Sequence, residues 1–459
     1  MNKATTFSSL TPIDTHYQES IVHSGEQVLV VLDDDPTGTQ TVHNVLVLTE
    51  WSPKSIEEAF REPLFYVLTN TRSLDSKDAY DRIHNICMVV RSTALKVGKK
   101  FIIITRGDST LRGHFKTETQ AVLDAIKLSK PLTIFVPAYF DGGRFTIENT
   151  HYVEEGEALI PASETPFSKD KTFGYHSSEL YDYIVEKDTR SGIRDNIFDL
   201  SIDEIRTRSL DYLIGKLHEN QEKYYLIINA ADPSDLNKVA ALLLRYHSLG
   251  GEYIIRSAAS LVSSLAGIKK KPFLTQVSMN IEMDPGLIVV GSYVPKSTKQ
   301  LEFLLANNEL DAYEIDVSQL VRRDRDAYIT ERSQQISTSM SNGKDCVMFT
   351  SRKLISGNDA TSSLSIVNQV SEGIIRILLS ITVIPSFIIT KGGITSSDVA
   401  TKVIKIKKAL VMGQLIAGVP VWKPLENQKY GHIPYVIFPG NVGNKESLSQ
   451  AFQNLKRST

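Results

Sequence analysis

A recurrent alternation of short apolar runs, polar or glycine-rich turns and amphipathic helical stretches constrains this chain more than any other feature. In the first half the apolar runs fall at 28–32, 45–48, 64–68, 101–105, 132–136, 225–229 and 253–256, with amphipathic segments at 76–97 and 117–128 between them. Continuous β-branched runs indicate strands buried on both faces, and intervening helices supply the crossovers that parallel strands require. A second series follows at 287–290, 346–350, 387–390 and 435–438, again with each run leading into a loop and then a helix. The pattern predicts an α/β fold of two α/β domains with largely parallel sheets.

A chain of 459 residues exceeds one ordinary core. The break around 267–281 divides it into an N-terminal domain, 1–274, and a C-terminal domain, 275–459. Residues 1–25 read as a poorly ordered arm, and 154–178, polar and without a clear period, as a lid or interface arm.

A net charge of -2 gives no basic field for nucleic acid. Cys87 and Cys346 stand far apart and in no metal-ligand spacing, which suits a reducing compartment. The first twenty residues lack the apolar core of a secretory signal. The most apolar stretch, 373–390, carries Arg376, Ser380, Pro385 and Ser386 and reads as a helix end followed by a strand, not a membrane span. A cytoplasmic protein that binds neither nucleic acid nor membrane is expected, with a homodimer left open.

Reactive groups in parallel sheets gather at the carboxyl ends of the strands. Here those ends hold Asp33-Asp34-Asp35-Pro36-Thr37-Gly38-Thr39-Gln40, Thr69-Asn70-Thr71-Arg72-Ser73, Arg106-Gly107-Asp108-Ser109-Thr110-Leu111-Arg112-Gly113-His114 and Asp141-Gly142-Gly143-Arg144. Three adjacent carboxylates repel one another unless cations or hydrogen bonds compensate. Arginine forks suit a carboxylate, while Asp, Ser and Thr suit hydroxyls, so the loops describe a pocket for a small hydroxylated anion. The bland reading makes each a solvated loop with capping residues, and it weakens as the loops multiply. The second half ends its strands in glycine turns at Gly291-Ser292, Gly392-Gly393-Ile394-Thr395 and Gly440-Asn441. Such turns with helix N–H groups hold phosphate oxygens. Pro295 stands where a Walker A motif needs its second glycine, and no G-x-G-x-x-G follows a strand. For Lys296 and Lys391 a surface position at the start of a helix is as good a reading as a phosphate contact.

DDPTGTQ near the start, DSTLRG in mid-domain and GGITSSDVA and GNVG near the end together resemble the four-carbon acid sugar kinase family. The resemblance runs from about Val28 onward. It implies a sugar-acid-binding N-terminal domain, a nucleotide-binding C-terminal domain, an active site in the interdomain cleft, and transfer from ATP with Mg²⁺ to threonate, erythronate or 3-oxo-tetronate. It also implies catalytic roles for Asp35 and Asp108, either of which could be the base. Asp34, Thr37, Arg106, Ser109, Arg112 and Arg144 would bind substrate, with Asp34 alternatively helping to place the metal, whose ligands are unassigned. Ser292, Gly392, Gly393, Ile394, Thr395 and Gly440 would bind nucleotide. Asp33 and the Pro36–Gln40 continuation depart from the DDLTGA form of that family.

Two rivals remain. Asp33-x-Asp35-x-Thr37 matches the signature of haloacid dehalogenase-like phosphatases, although Arg112 occupies the place of the late acid that class needs. A non-catalytic sugar-acid or nucleotide sensor would share the fold, but its acidic motifs would not need to be intact.

Overall fold

The computed structural model describes residues 1–12, 27–130, 132–281, 285–292, 294–352 and 360–456, without the side chains of 360–365 and 367. Residues 1–270 and 271–459 form two compact units. Both are α/β, as the alternation predicts.

The first unit holds β1 (Gln27–Asp33), β2 (Val45–Leu48), β3 (Leu64–Leu68), β4 (Lys100–Arg106), β5 (Thr133–Val136), β6 (Arg144–Ile147), β7 (Thr150–Glu155), β8 (Ala158–Pro161), β9 (Ile197–Leu200), β10 (Tyr225–Ile228) and β11 (Ile254–Ser257). Eight of these make a parallel sheet in the order β2-β3-β1-β4-β11-β5-β10-β9. Every residue of β1 is buried, the signature of a strand covered on both faces. One cover is helix Ser76–Val97, which presents Ile83, Ile86, Cys87, Val90 and Ala94 at helical spacing to Val30, Leu32, Val67 and Ile103. Asp75 starts this helix by accepting a hydrogen bond from the Asp78 amide at 2.8 Å.

The stretch at 154–178, read as a lid or interface arm without a clear period, carries regular structure. β6, β7 and β8 form a separate antiparallel sheet, and short 3₁₀ turns follow at Ala162–Glu164 and Pro166–Lys169. Part of the expected arm is docked as well. Helix Lys3–Ser8 sets Phe7 edge-on to Phe145 at 5.0 Å, and Lys3 pairs with Glu154 at 2.8 Å. Apolar Phe7 and Leu10 found cover on the small sheet, a long-range contact with no local trace. The rest of the arm, from residue 13, lies outside the described residues.

The second unit holds β12 (Leu287–Val290), β13 (Asp311–Ile315), β14 (Cys346–Thr350), β15 (Ile388–Lys391), β16 (Lys408–Ile416), β17 (Val419–Leu425) and β18 (Tyr435–Phe438). Its order is β13-β14-β12-β15-β18-β17-β16, with the first five parallel and the β16–β17 hairpin antiparallel to β18. β16 alternates buried and half-buried residues, so it lacks the continuous apolar run that marks its neighbours. Among the described residues no helix is long and apolar enough to cross a membrane. Both cysteines are buried and free.

Candidate functional site

Register brings the first set of loops together. Asp33 at the end of β1 aligns with Leu68 of β3 and with Arg106 of β4, so the three strands end level and their loops lie side by side. The strand order runs outward in opposite senses on the two sides of β1, the topological switch at which parallel sheets usually form a ligand crevice.

The three aspartates separate into three environments. Asp33 is only 2% exposed, with Oδ1 3.6 Å from Nη1 of Arg106 and Oδ2 without a hydrogen-bond partner among the described residues. A Cβ on Gly38 would lie 2.0 Å from that Oδ2, so only glycine lets the loop close over the carboxyl. Burial, despite Arg106 and with Asp34 and Asp35 adding to it, pushes the Asp33 pKa well above the usual carboxylate range. A phosphatase nucleophile needs an open line of attack, and Asp33 has none. Asp34 is also turned inward, its two oxygens held by Nε and Nη2 of Arg72 at 3.1 and 2.7 Å. Burial pushes Asp34 up as well, while the fork of Arg72 opposes it. Asp35 stands at the rim. Its Oδ1 caps the 3₁₀ turn Pro36–Thr39 by accepting from the Thr37 amide at 2.8 Å, and its Oδ2 lies 3.4 Å from Nη1 of Arg72. The Thr37 side chain itself is buried.

Asp108 opens the loop after β4. Its Oδ2 accepts from Nε of Arg112 at 2.6 Å and from the Thr110 hydroxyl. Burial would raise its pKa, but Arg112, Arg72 and the Thr110 hydrogen bond hold it well below the carboxylate range. Leu111 adopts a left-handed backbone, φ 66°, and its carbonyl accepts from the Tyr183 hydroxyl at 2.8 Å. A branched residue in that region stores strain, which the surrounding packing must hold in place. Arg112 and Arg144 share the ring of Phe167, at 5.1 and 5.9 Å, and Arg112 approaches Asp170 at 3.6 Å. The 154–178 stretch thus supplies one wall. Among the described residues no carboxylate lies within ion-pair distance of Arg144, and its Nε has no partner. Burial lowers the Arg144 pKa, with Asp108 and Glu154 opposing the shift from beyond ion-pair distance.

Four groups outside the predicted site support these loops. Glu118, from helix Phe115–Ile126, accepts from Thr71 and from Arg256 of β11. The Arg256 guanidinium in turn fills the space above Gly107, where a Cβ would lie 2.3 Å from Nη2. Arg72, quoted in its loop without a role, bridges Asp34 and Asp35. His151 donates from Nε2 to the Ser109 carbonyl at 2.8 Å, and the Thr146 hydroxyl donates to Nδ1 at 3.0 Å. A carbonyl only accepts, which fixes the tautomer. Burial holds His151 down to about 4, so it stays neutral while it pins the Ser109 loop. Ser109 is buried and Arg106 lies beneath the aspartates, 4% exposed.

In the second unit the glycine turns meet. A Cβ on Gly291 would fall 2.0 Å from Oγ1 of Thr395, and one on Gly392, at φ 113°, would lie 3.1 Å from Cβ of Ser292. Gly440 would meet Ser292 Oγ at 3.4 Å. Ser297 Oγ donates to the Gly440 carbonyl at 3.2 Å, which leaves it to accept from the Ser292 hydroxyl 3.0 Å away. Lys296 donates to the Asn441 carbonyl at 3.1 Å, and Gln300 to those of Val442 and Asn444 at 3.0 and 2.7 Å. Tyr293 lies outside the described residues. Beside the turns opens a cavity of about 320 Å³, lined on one side by Ser292, Gly392, Gly393, Ile394 and Thr395 and on the other by apolar side chains.

Lys391 is not the surface lysine that one reading of the sequence allowed. Fully buried, it donates to the Pro439 carbonyl at 2.9 Å and lies 4.1 Å from the centre of the Phe438 ring. Burial, with Lys296 nearby, lowers it to about 7. The folded chain therefore binds fewer protons than the unfolded chain between about pH 7 and the ordinary lysine value near 10.4, and stability from this group rises with pH across that window. Urea unfolding of wild type and Lys391→Met at roughly pH 7 and pH 9.5 checks this. Wild type is expected to gain on the order of a few kcal/mol relative to the variant at the higher pH.

Among the described residues no three His, Cys, Asp or Glu side chains come together as a metal site. Asp34 and Asp108 are each engaged by an arginine, and among the described residues they do not gather with a third ligand.

A family model for a sugar-binding N-terminal domain matches residues 29–265, and one for a nucleotide-binding C-terminal domain matches residues 287–448. No curated protein matches the chain. Two solved structures share the fold. A Haemophilus influenzae protein of the DUF1537 family is 17% identical, with a TM-score of 0.61 over 93% of this chain and 100% of its own. A Salmonella typhimurium protein that carries the provisional name of a tRNA synthase is 15% identical, with a TM-score of 0.66 over 92% of this chain and 98% of its own.

Proposed function

The chain belongs to the family that joins a sugar-binding N-terminal domain to a nucleotide-binding C-terminal domain in the four-carbon acid sugar kinase architecture, and from that premise we propose that it transfers the γ-phosphoryl group of ATP to a hydroxyl of a small sugar acid such as threonate, erythronate or 3-oxo-tetronate. The observation that carries the choice of an acid is Arg144. A half-buried guanidinium short of an anion, beside Arg112 on the face of Phe167, is a receptor for a carboxylate. The converging glycine turns around Ser292 support the nucleotide half of the reading.

In this mechanism Arg144 and Arg112 hold the acid group, and Asp35 at the rim, with Thr37 and Ser109 in the loops behind it, positions the hydroxyls. Asp35 is the base. Its Oδ2 has only a long contact to Arg72, whereas Asp108 is held so firmly ionised by Arg112 that it makes a poor proton acceptor. Asp108 instead orients Arg112 and the substrate. Asp34 acts through Arg72, and Arg106 acts from beneath. Phosphoryl transfer needs little beyond positioning and charge neutralisation, with Mg²⁺ supplying charge on the phosphates when ATP is bound. The sugar-acid hydroxyl loses its proton to Asp35 Oδ2 as its oxygen bonds to the γ-phosphorus and the bond from that phosphorus to the β,γ-bridging oxygen breaks, with ADP as the leaving group.

Free buried thiols at Cys87 and Cys346 support a cytoplasmic setting. The test is ADP release from Mg-ATP with threonate, erythronate and 3-oxo-tetronate isomers. Turnover is expected on one acid, and Arg144→Ala is expected to raise its KM about 10-fold or more, the effect of a lost charge-assisted bond. Release of phosphate from sugar phosphates without any ADP would overturn the reading.

A further inference from the structure

The cavity beside the glycine turns is strongly polarised, and its far wall has no part in holding phosphates. Val317, Ile366, Val370, Ile374, Ile375 and Val399 make that wall apolar, the character of a surface that takes a flat base. Among the described residues lining the cavity, one is ionisable: Asp398. It closes helix Gly393–Asp398, the same helix whose first residues form the Gly392-Gly393 turn. Its Oδ2 accepts from the Ser371 hydroxyl, and its Oδ1 lies 2.6 Å from Nζ of Lys402. The carboxylate is thereby fixed in place, 14% exposed, with further lone pairs on both oxygens.

A fixed carboxylate on an apolar wall cannot tolerate phosphate and asks for a donor. We infer that Asp398 is the specificity-determining acceptor for an O–H or N–H donor of the nucleoside, and that it orients the nucleotide with its phosphates toward Ser292 and the glycine turns. This inference rests on the second unit being a nucleotide site. Two donors share the required chemistry, a ribose hydroxyl and the exocyclic amine of adenine. A nucleotide analogue in which that donor is missing removes one hydrogen bond from Asp398 while still burying it, the situation in which polar sites discriminate most strongly.

Isothermal titration of the full chain, as wild type, Asp398→Asn and Asp398→Ala, tests it with Mg-ATP, 2′-deoxy-ATP, 3′-deoxy-ATP, ITP and inorganic tripolyphosphate. Asp398→Ala is expected to weaken ATP binding roughly 10- to 100-fold, the worth of a hydrogen bond to a charged group. Tripolyphosphate, which has no nucleoside, is expected to bind all three proteins alike, which also reports that the fold and the glycine turns are intact. One analogue is expected to bind wild type as weakly as ATP binds the variant and to be indifferent to the substitution. A deoxy-ATP in that role identifies a ribose hydroxyl, and ITP identifies the amine. ATP binding unchanged in Asp398→Ala overturns the inference alone, as does a loss that persists with every ligand including tripolyphosphate. Wild type that binds no nucleotide overturns the nucleotide reading itself.

Discussion

Asp35→Asn is expected to lower kcat by roughly 10²- to 10⁴-fold, the contribution of a positioned general base. Asparagine keeps the shape and its oxygen can still accept from the Thr37 amide, so the 3₁₀ turn Pro36–Thr39 has its cap in the variant. What it lacks is the capacity to take a proton. KM for the acid is expected to change little, because Arg112 and Arg144 hold the carboxylate. Asp108→Asn separates the two candidate bases. That substitution weakens the partner of Arg112 and is expected to act mainly on KM. Steady-state ADP release by the three proteins, with near-UV circular dichroism to confirm native packing, provides the measurement. A larger kcat loss in Asp108→Asn than in Asp35→Asn would reverse the assignment.

The largest effect on stability is expected from Arg256→Ala, at roughly 3–5 kcal/mol, because it leaves the Glu118 carboxylate buried without its counter-charge. Arg256 and Glu118 are 5% and 2% exposed at the side chain, too deep for solvent to replace the lost partner. The same guanidinium fills the space over Gly107, so its removal also opens a void at the start of the Asp108 loop. The double variant Glu118→Gln, Arg256→Met is expected to recover much of the loss, since the amide still accepts from Thr71 and carries no charge. Urea denaturation of the single and double variants measures the coupling. A cost near that of an exposed ion pair, below about 1 kcal/mol, would show that the pair is not structural.

The same two residues show where sequence reading stops. Glu118 sits in the first turn of its helix, where an acidic residue is ordinary, and Arg256 near the end of an unremarkable strand. They matter because β11 lies next to β4 in the sheet, a neighbour relation set by chain topology over more than a hundred residues. Asp33, Asp34 and Asp35 illustrate a finer limit. In the sequence the triplet is one cluster of carboxylates, yet its members end as a buried acid, an arginine partner and a rim carboxylate. Their division depends on Gly38 folding back over the first and Arg72 arriving from β3 to fork the second.

The sequence by itself determined the α/β class, because a strand buried on both faces must be apolar throughout and a covering helix must repeat its apolar residues every three or four positions. It also placed the clusters of glycine, arginine and aspartate at the carboxyl ends of strands, since both the clusters and the apolar runs before them are local facts. Only the tertiary structure decided the β6–β8 sheet and the β16–β17 hairpin, whose alternating or short strands carry weak local signals. It alone decided that Lys391 is buried beneath the glycine turns and that Asp398 faces an apolar cavity. The physical reason is common to all of these. Burial and pairing are properties of what packs against a residue, and those neighbours come from strands and helices that the chain reaches only after crossing the sheet.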